Sequence, residues 1–245
     1  MWSALKVRWS QGDPLIHELR AARPAGWRGR PEVGPTPCVA GCTACRDHCP
    51  TRAVSLEPLR LDLGRCVFCG ECEAVCPAQK LRFGDDPRMA GATPSELVVG
   101  EGVAARAVPV DERIRSLFGR SLRLRQISAG GCNACELELN ATANVNFDLG
   151  RYGIEWVASP RHADGLVLTG PLTRNMARAV QLCVDATPEP KFLVAVGACA
   201  LSGGLFAEGD VDRGLLDRWP PKVWVPGCPV HPLTFAHAIL DLLGR

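Results

Sequence analysis

Two compact cysteine runs decide how the first part of this chain can fold: Cys38, Cys42, Cys45 and Cys49, followed by Pro50, and Cys66, Cys69, Cys72 and Cys76, followed by Pro77. Residues 35–85 hold both runs with little else between them. A unit that small cannot rest on an apolar core alone, so whatever the thiols bind supplies much of its folding free energy. Four more cysteines are scattered, Cys132 and Cys135 in CNAC, Cys199 in GAC and Cys228 in GCP, and of the 13 only Cys183 is left over.

Composition narrows the field. With 47% apolar residues among 245, the chain can build one large or two modest cores. A net charge of +2 gives no electrostatic reason to expect nucleic acid as a partner. The opening MWSALKVRWSQG lacks the apolar stretch of a signal peptide, and no run approaches the roughly 20 apolar residues that cross a bilayer. These features predict a soluble, cytoplasmic chain, in which many cysteines signal metal or redox chemistry rather than a disulfide framework.

Residues 1–34 read as a tail, since Pro14, Pro24 and Pro31 interrupt any long element. Within it Trp2, Leu5 and Trp9 recur at helical spacing. They predict a short amphipathic helix that packs on its own protein or docks on a partner or membrane surface. Residues 35–85 form the cysteine-rich domain, 86–120 a linker with one short strand at ELVV, and 121–245 a second domain. In that domain SLRLRQIS, IEWVAS, GLVLTG, KFLVAVG and KVWVPG read as buried strands, and CELELNATANV, NMARAVQLCVDA and PLTFAHAILDLL as helices. The alternation predicts βαβ units and a mostly parallel sheet. Cys132, Cys199 and Cys228 each follow a predicted strand, and sites in such sheets gather beyond the carboxyl ends of the strands. Thiols from three loops are therefore expected to converge, with Cys135 one helical turn past Cys132.

The run Cys66-x-x-Cys69-x-x-Cys72-x-x-x-Cys76-Pro77 matches the bacterial ferredoxin pattern. In that pattern three cysteines of a run hold one [4Fe–4S] cluster and the fourth ligates the other. Applied here, one cluster takes Cys38, Cys42, Cys45 and Cys76, and the second takes Cys66, Cys69, Cys72 and Cys49. The first run carries one extra residue between Cys38 and Cys42. That makes Cys38 the least secure ligand and a three-iron cluster the outcome if it fails. Paired Cys-x-x-Cys motifs also serve structural zinc, but two complete quartets, each closed by proline, favour iron and sulfide. Cys183 lies in a helical pattern and reads as a buried small hydrophobe.

The second domain resembles a known family, the small electron-transferring subunit shared by membrane-bound, energy-converting [NiFe] hydrogenases and by respiratory complex I, where it is the 20 kDa or B-type subunit. The resemblance covers about 115–243 and is carried by RSLFGRSLRLRQISAGGCNACELEL, FDLGRYGIEWVASPRHADGLVLTGPLTRNM, VAVGACALSGG and VWVPGCPVHP. It implies a flavodoxin-like α/β domain in which Cys132, Cys135, Cys199 and Cys228 bind a third [4Fe–4S] cluster, the one nearest a partner's active or quinone site. Complex I subunits carry two adjacent cysteines at the first ligands, whereas hydrogenase-type subunits carry Cys-x-x-Cys. CNAC therefore resembles the hydrogenase branch, formate hydrogenlyase-like small subunits in particular.

The resemblance reaches further residues. Glu138 is a group at the partner's site or in proton movement, or else a helix-surface carboxylate. Arg161 and His162 face the cluster or the large subunit, or else pack a loop. Thr169, Gly170 and Thr173 are strand-end architecture. Gly130, Gly131, Gly197 and Gly227 flank ligands, where a missing Cβ lets backbone N–H groups reach sulfur.

The expected whole is an α+β ferredoxin-like two-cluster domain fused to an α/β domain of the complex I 20 kDa type, a wire of three clusters with no bond making in this chain. A [NiFe] centre takes four further cysteines and one is spare, so no nickel is expected here. The catalytic centre then belongs to a large partner, hydrogenase-like or 49 kDa-like. Membrane subunits of the complex hold the chain peripherally on the inner face of the cell membrane, and an external donor or acceptor meets the ferredoxin domain. The alternatives are a nickel-free module related to NADH:quinone oxidoreductase, a stand-alone ferredoxin-type carrier and a zinc-stabilised interaction protein.

Overall fold

In the computed structural model, which describes residues 2–212 and 214–245, short elements wind around the first two cysteine runs. Helix α1 (Trp2–Gln11) buries none of its residues, with Trp2 79% and Trp9 92% exposed, so it does not pack on its own protein. Then follow β1 (Pro31–Val33), α2 (Ala44–Asp47), β2 (Val54–Ser55), β3 (Arg60–Asp62), α3 (Glu71–Ala74), β4 (Leu81–Phe83) and β5 (Val98–Gly100). Strand β1 pairs antiparallel with β4, and β2, β3 and β5 make a second antiparallel sheet. Helices α2 and α3 lie inside the cysteine runs and bury Cys45 and Cys72. These thiols share a core with Val54, Leu61, Leu63, Leu81, Leu97 and Val99.

The second half begins with α4 (Glu112–Phe118), whose N-cap Asp111 accepts the N–H groups of Arg113 and Ile114. It continues through β6 (Leu122–Ser128), α5 (Ala134–Ala141), β7 (Ile154–Trp156), β8 (Gly165–Thr169) and α6 (Arg174–Ala186). The chain ends with β9 (Phe192–Val196), α7 (Gly197–Ser202), α8 (Gly214–Arg218), β10 (Val223–Val225) and α9 (Pro232–Leu242). All five predicted strands form, in one parallel sheet of order β10-β9-β8-β6-β7. The first strand of this domain lies between its second and third, the flavodoxin-like order, whose switch point is the crevice between β6 and β8. Every residue of β8 and β9 is buried because helices cover both faces. Val167, Val194 and Val196 share a core with Leu233, Phe235 and Ile239 of α9. Leu166, Leu168 and Leu193 share another with Val180 and Val184 of α6 and with Leu215 and Leu216 of α8.

Two stretches expected to be loose are built into the fold. Beyond α1 the expected tail is a strap. Leu19, 1% exposed, sits in the core beneath α9. The Ile16 N–H donates to the Asn146 carbonyl at 2.9 Å, and Arg20 pairs with Asp241 of α9. Further on, Trp27 packs against His231 with ring centroids 4.6 Å apart, Arg28 Nη1 donates to the Phe68 carbonyl at 3.0 Å, and β1 joins the cysteine-rich unit. The prolines exclude helix here but suit an extended chain laid over a surface. The expected linker carries its short strand where ELVV placed it, as β5, which completes a sheet of the first unit, and it is tied down further, since Gly91 bridges to Trp224 of β10 and Ile114 of α4 is buried in the second unit. Ala195, Ala200, Leu201 and Trp224 extend the first unit's core onto the flank of the parallel sheet.

Candidate functional site

The carboxyl end of the parallel sheet gathers the scattered cysteines. After β6 the chain turns through Gly130, at φ 91°, to Cys132, and Asn133 in the left-handed region opens α5, which puts Cys135 in its first turn. Cys199 lies in α7 directly beyond β9, and Cys228 follows β10. Burial pushes the Cys135 thiol up to about 12; the Val230 N–H opposes the rise, and Glu136, Cys199 and Cys228 add to it. Cys199 is pushed up to about 11 by burial and then by Cys228, Cys132 and Glu136. Burial followed by Cys132 raises Cys228. The structure thus brings the four thiols within electrostatic reach of one another.

Gly197 shows how tightly this end is packed. At φ 86° it occupies backbone space that L side chains rarely adopt, and a Cβ there would lie 2.6 Å from Cys135 Sγ. Gly197→Ala is expected to cost about 1–3 kcal/mol through backbone strain and overpacking. Anaerobic denaturant titration measures it, and an unchanged midpoint would contradict this packing.

The two compact runs cross. Burial raises Cys45, followed by Cys76 of the other run and then Cys38 and Cys42. Burial pushes Cys66 up to about 12, with Cys72, Cys49 and Cys69 adding to it against the Phe68 N–H. Cys72 rises to about 11 through burial and then through Cys69, Cys49 and Cys45. The last cysteine of each run therefore lies with the first three of the other, and the sets are neighbours. The extra residue before Cys42 is absorbed by a turn in which the Cys42 N–H donates to the Val39 carbonyl at 3.0 Å and Gly41 sits at φ 70°. Cys38 keeps its place beside Cys45 as a result.

These donor sets suit iron and sulfide. Buried thiols that raise one another's pKa ionise readily only where a cationic centre shares their charge. Sets made of sulfur alone are the ligands of [4Fe–4S] clusters. Backbone N–H groups already aim at sulfur, from Ala53 to Cys49 at 3.2 Å, from Phe68 to Cys66 at 3.3 Å and from Lys80 to Cys76 at 3.3 Å. Such bonds tune the potential of an iron–sulfur site.

The other expected residues divide. Glu138, half-buried and with its carboxyl raised by burial, lines a cavity of about 360 Å³ with Cys228, Phe68, Met89, Trp27 and His231. His231 Nδ1 accepts the Leu233 N–H at 3.1 Å and caps α9, while burial lowers its pKa to about 4. Arg161 and His162 are exposed on the turn before β8. The register Leu124↔Gly165 and Ser128↔Thr169 places that turn at the amino end of the sheet, about 13 Å along the strand from the cysteine loops. The structure does not bring them to the thiols. Cys183 is half-buried on α6, raised by burial against Arg125, and stands apart from every set.

Sequence reasoning passed over Glu136. It is 5% exposed, and buried Thr169 Oγ1 donates to its Oε1 at 2.7 Å. The signal was Leu139, one turn further along α5 and fully buried, which puts position 136 on the inward face.

Comparison with known proteins agrees with the fold and the thiols. Residues 132–242 match the family described as NADH ubiquinone oxidoreductase, 20 Kd subunit, and residues 59–79 match the 4Fe-4S binding domain. The chain is 38% identical over 140 residues to the probable membrane-bound hydrogenase subunit mbhJ of Pyrococcus furiosus, covering 56% of this chain and 84% of that protein. It is 36% identical over 159 residues to formate hydrogenlyase subunit 7 of Escherichia coli, covering 64% and 61%. To the B-type NADH-quinone oxidoreductase subunit of Citrifermentans bemidjiense it is 39% identical over 115 residues, covering 47% and 68%. Fold and thiols together define an iron–sulfur electron-transfer subunit of an oxidoreductase. The chain belongs to the 20 kDa subunit family of NADH:ubiquinone oxidoreductase, with a 4Fe-4S binding domain ahead of the part that the family covers.

Proposed function

We propose that this chain is the iron–sulfur relay of a membrane-associated, energy-converting [NiFe] hydrogenase of formate hydrogenlyase type. The observation that carries the reading is the convergence of Cys132-x-x-Cys135, Cys199 and Cys228 at the carboxyl end of the sheet. Likeness to a membrane-bound hydrogenase subunit and to a formate hydrogenlyase subunit supports it. Three cysteine sets would hold [4Fe–4S] clusters, Cys38, Cys42, Cys45 and Cys76 the first, Cys49, Cys66, Cys69 and Cys72 the second, and Cys132, Cys135, Cys199 and Cys228 the third. Bound clusters supply one-electron transfer.

Residues of this chain support an order for the three sets. Phe68, between Cys66 and Cys69, and Cys228 line one cavity, closed by Trp27, Met89 and His231. The second set would then be the middle one, with rings from the strap and the Cys66–Cys69 loop lining the gap. The first set opens on a surface cavity of about 470 Å³ lined by Cys38, Cys42, Arg46 and Glu57, where an external donor or acceptor docks.

At the far end Cys132 and Cys228 are exposed, and Leu137, Leu205 and Phe206 near the third set are 62%, 61% and 48% exposed. An apolar rim around exposed thiols calls for a covering partner, here the large subunit that holds the active metal. No helix among the described residues is long and apolar enough to cross a membrane, so partner subunits carry the chain to the inner face of the cell membrane. The complex purified anaerobically is expected to contain about twelve iron atoms per copy of this chain and nickel in the large subunit. About eight iron atoms would remove one set; a nickel-free complex would favour a complex I-like module, and a freely monomeric holo-protein a stand-alone carrier.

A further inference from the structure

Arginines from three parts of the chain meet at a cavity that no cysteine lines. Arg30 closes the strap just before β1, Arg88 follows β4, and Arg106 lies between β5 and α4; together they line a space of about 260 Å³. Arg30 is fixed by its backbone, whose N–H donates to the Asp86 carbonyl at 2.9 Å and whose carbonyl accepts the Gly84 N–H at 3.0 Å. It is 8% exposed, and its Nη2 donates to the Val103 carbonyl at 3.0 Å. Among the described residues its guanidinium forms no ion pair. Burial lowers its pKa, and Asp86 and Glu32 do not offset that. Asp86 is engaged by Arg88 instead, through Nε to Oδ1 at 2.9 Å and Nη2 to Oδ2 at 2.6 Å. The Arg106 side chain has neither hydrogen bond nor ion pair among the described residues. Glu96 is the carboxylate that lines the same cavity, and its Oε2 accepts the Ala92 N–H at 2.7 Å.

We propose that this cavity binds a phosphate-type oxyanion, either free phosphate or the phosphoryl end of a small molecule. Guanidinium groups stay charged and present N–H forks that match phosphate oxygens. Arg30 and Arg106 both have donors to spend, and the buried charge of Arg30 gains most because screening there is weak. A second cavity of about 460 Å³ shares Arg30, Arg88, Val103 and Ala104 with the first and gives room for whatever carries the phosphoryl group. A bound oxyanion would tie the strap, the cysteine-rich unit and the segment leading to α4 to one another. None of this depends on what the cysteine sets hold.

The test is anaerobic isothermal titration of the full chain, in its purified complex and at constant ionic strength, with inorganic phosphate as the probe and adenosine monophosphate as a second. Saturable binding at a single site is expected. R106Q should weaken it about tenfold or more, the loss of one or two charge-assisted hydrogen bonds. R30K should weaken it too, since lysine keeps the charge without the fork. R178Q, an exposed arginine on α6 across the parallel sheet, should bind as the unsubstituted protein does. Iron content checks that each variant folds; if R30K fails that check, R106Q decides. Tighter binding of adenosine monophosphate assigns the site to a phosphorylated molecule, and equal binding assigns it to free phosphate. The proposal is overturned if the unsubstituted protein takes up no phosphate, as when a partner's carboxylate fills the cavity. Unchanged affinity in R106Q, or an equal loss in R178Q, overturns it as well.

Discussion

In a chain that already lacks Cys66 and Cys69, adding Cys49→Ala is expected to remove no further iron, whereas adding Cys76→Ala lowers the iron content again. The first double substitution empties one set and takes iron from about twelve to about eight atoms per chain. In the proposed arrangement Cys49 belongs to that emptied set although it stands in the other run, beyond Cys45, and it adds to the rise of both Cys66 and Cys72. The same arrangement puts Cys76 with Cys45, on which it acts more strongly than Cys38 or Cys42 does. An uncrossed arrangement gives the opposite pair of results. Iron analysis of the four chains, with EPR on each, decides between them. The proposed crossing would tie the two sets together, and Cys72 of the second set is also raised by Cys45 of the first.

The parallel sheet was legible because β8 and β9 are buried on both faces and must therefore be continuous apolar runs. Convergence of the scattered cysteines was legible for the same reason, since known strand ends fix where the loops gather. The cysteine-rich unit was legible only as spacing. Strands of two or three residues such as β2 and β3 have no periodicity to read, and their pairing depends on β5, which lies in the stretch expected to be a linker. Glu136 was hidden because ELEL alternates acid and leucine, so Glu136 and Glu138 look alike until the helix is set against the sheet. Arg161 and His162 follow a strand, as the cysteines do, yet β7 is paired only with the first part of β6 and ends early. Their turn stays at the amino end.

The strap is the largest structural departure from expectation, and Leu19→Ala is the substitution that tests it. Leu15, Ile16 and Leu19 are the only large apolar residues between Pro14 and Pro24 and make no long apolar stripe, so sequence spacing assigns them to a tail. In the structure Leu19 is 1% exposed and packs within the core that includes Ile114, Leu242 and Leu243. Truncating a leucine so buried is expected to cost about 2–5 kcal/mol, from lost transfer energy and the cavity left behind. Leu5→Ala on α1, where the side chain is 59% exposed, should change stability by no more than about 0.5 kcal/mol. Anaerobic denaturant titrations of the two variants measure the difference, with iron content as the check that both retain their clusters. The strap also carries Trp27 to His231 beside the Cys228 loop and Arg28 to the Phe68 carbonyl beside Cys66 and Cys69. A large effect at Leu19 would therefore mean that this segment, anchored in the second core, helps to fix the gap between the second and third cysteine sets. An effect as small as that at Leu5 would leave the contacts of Leu201 and Trp224 with the first unit's core to hold that gap.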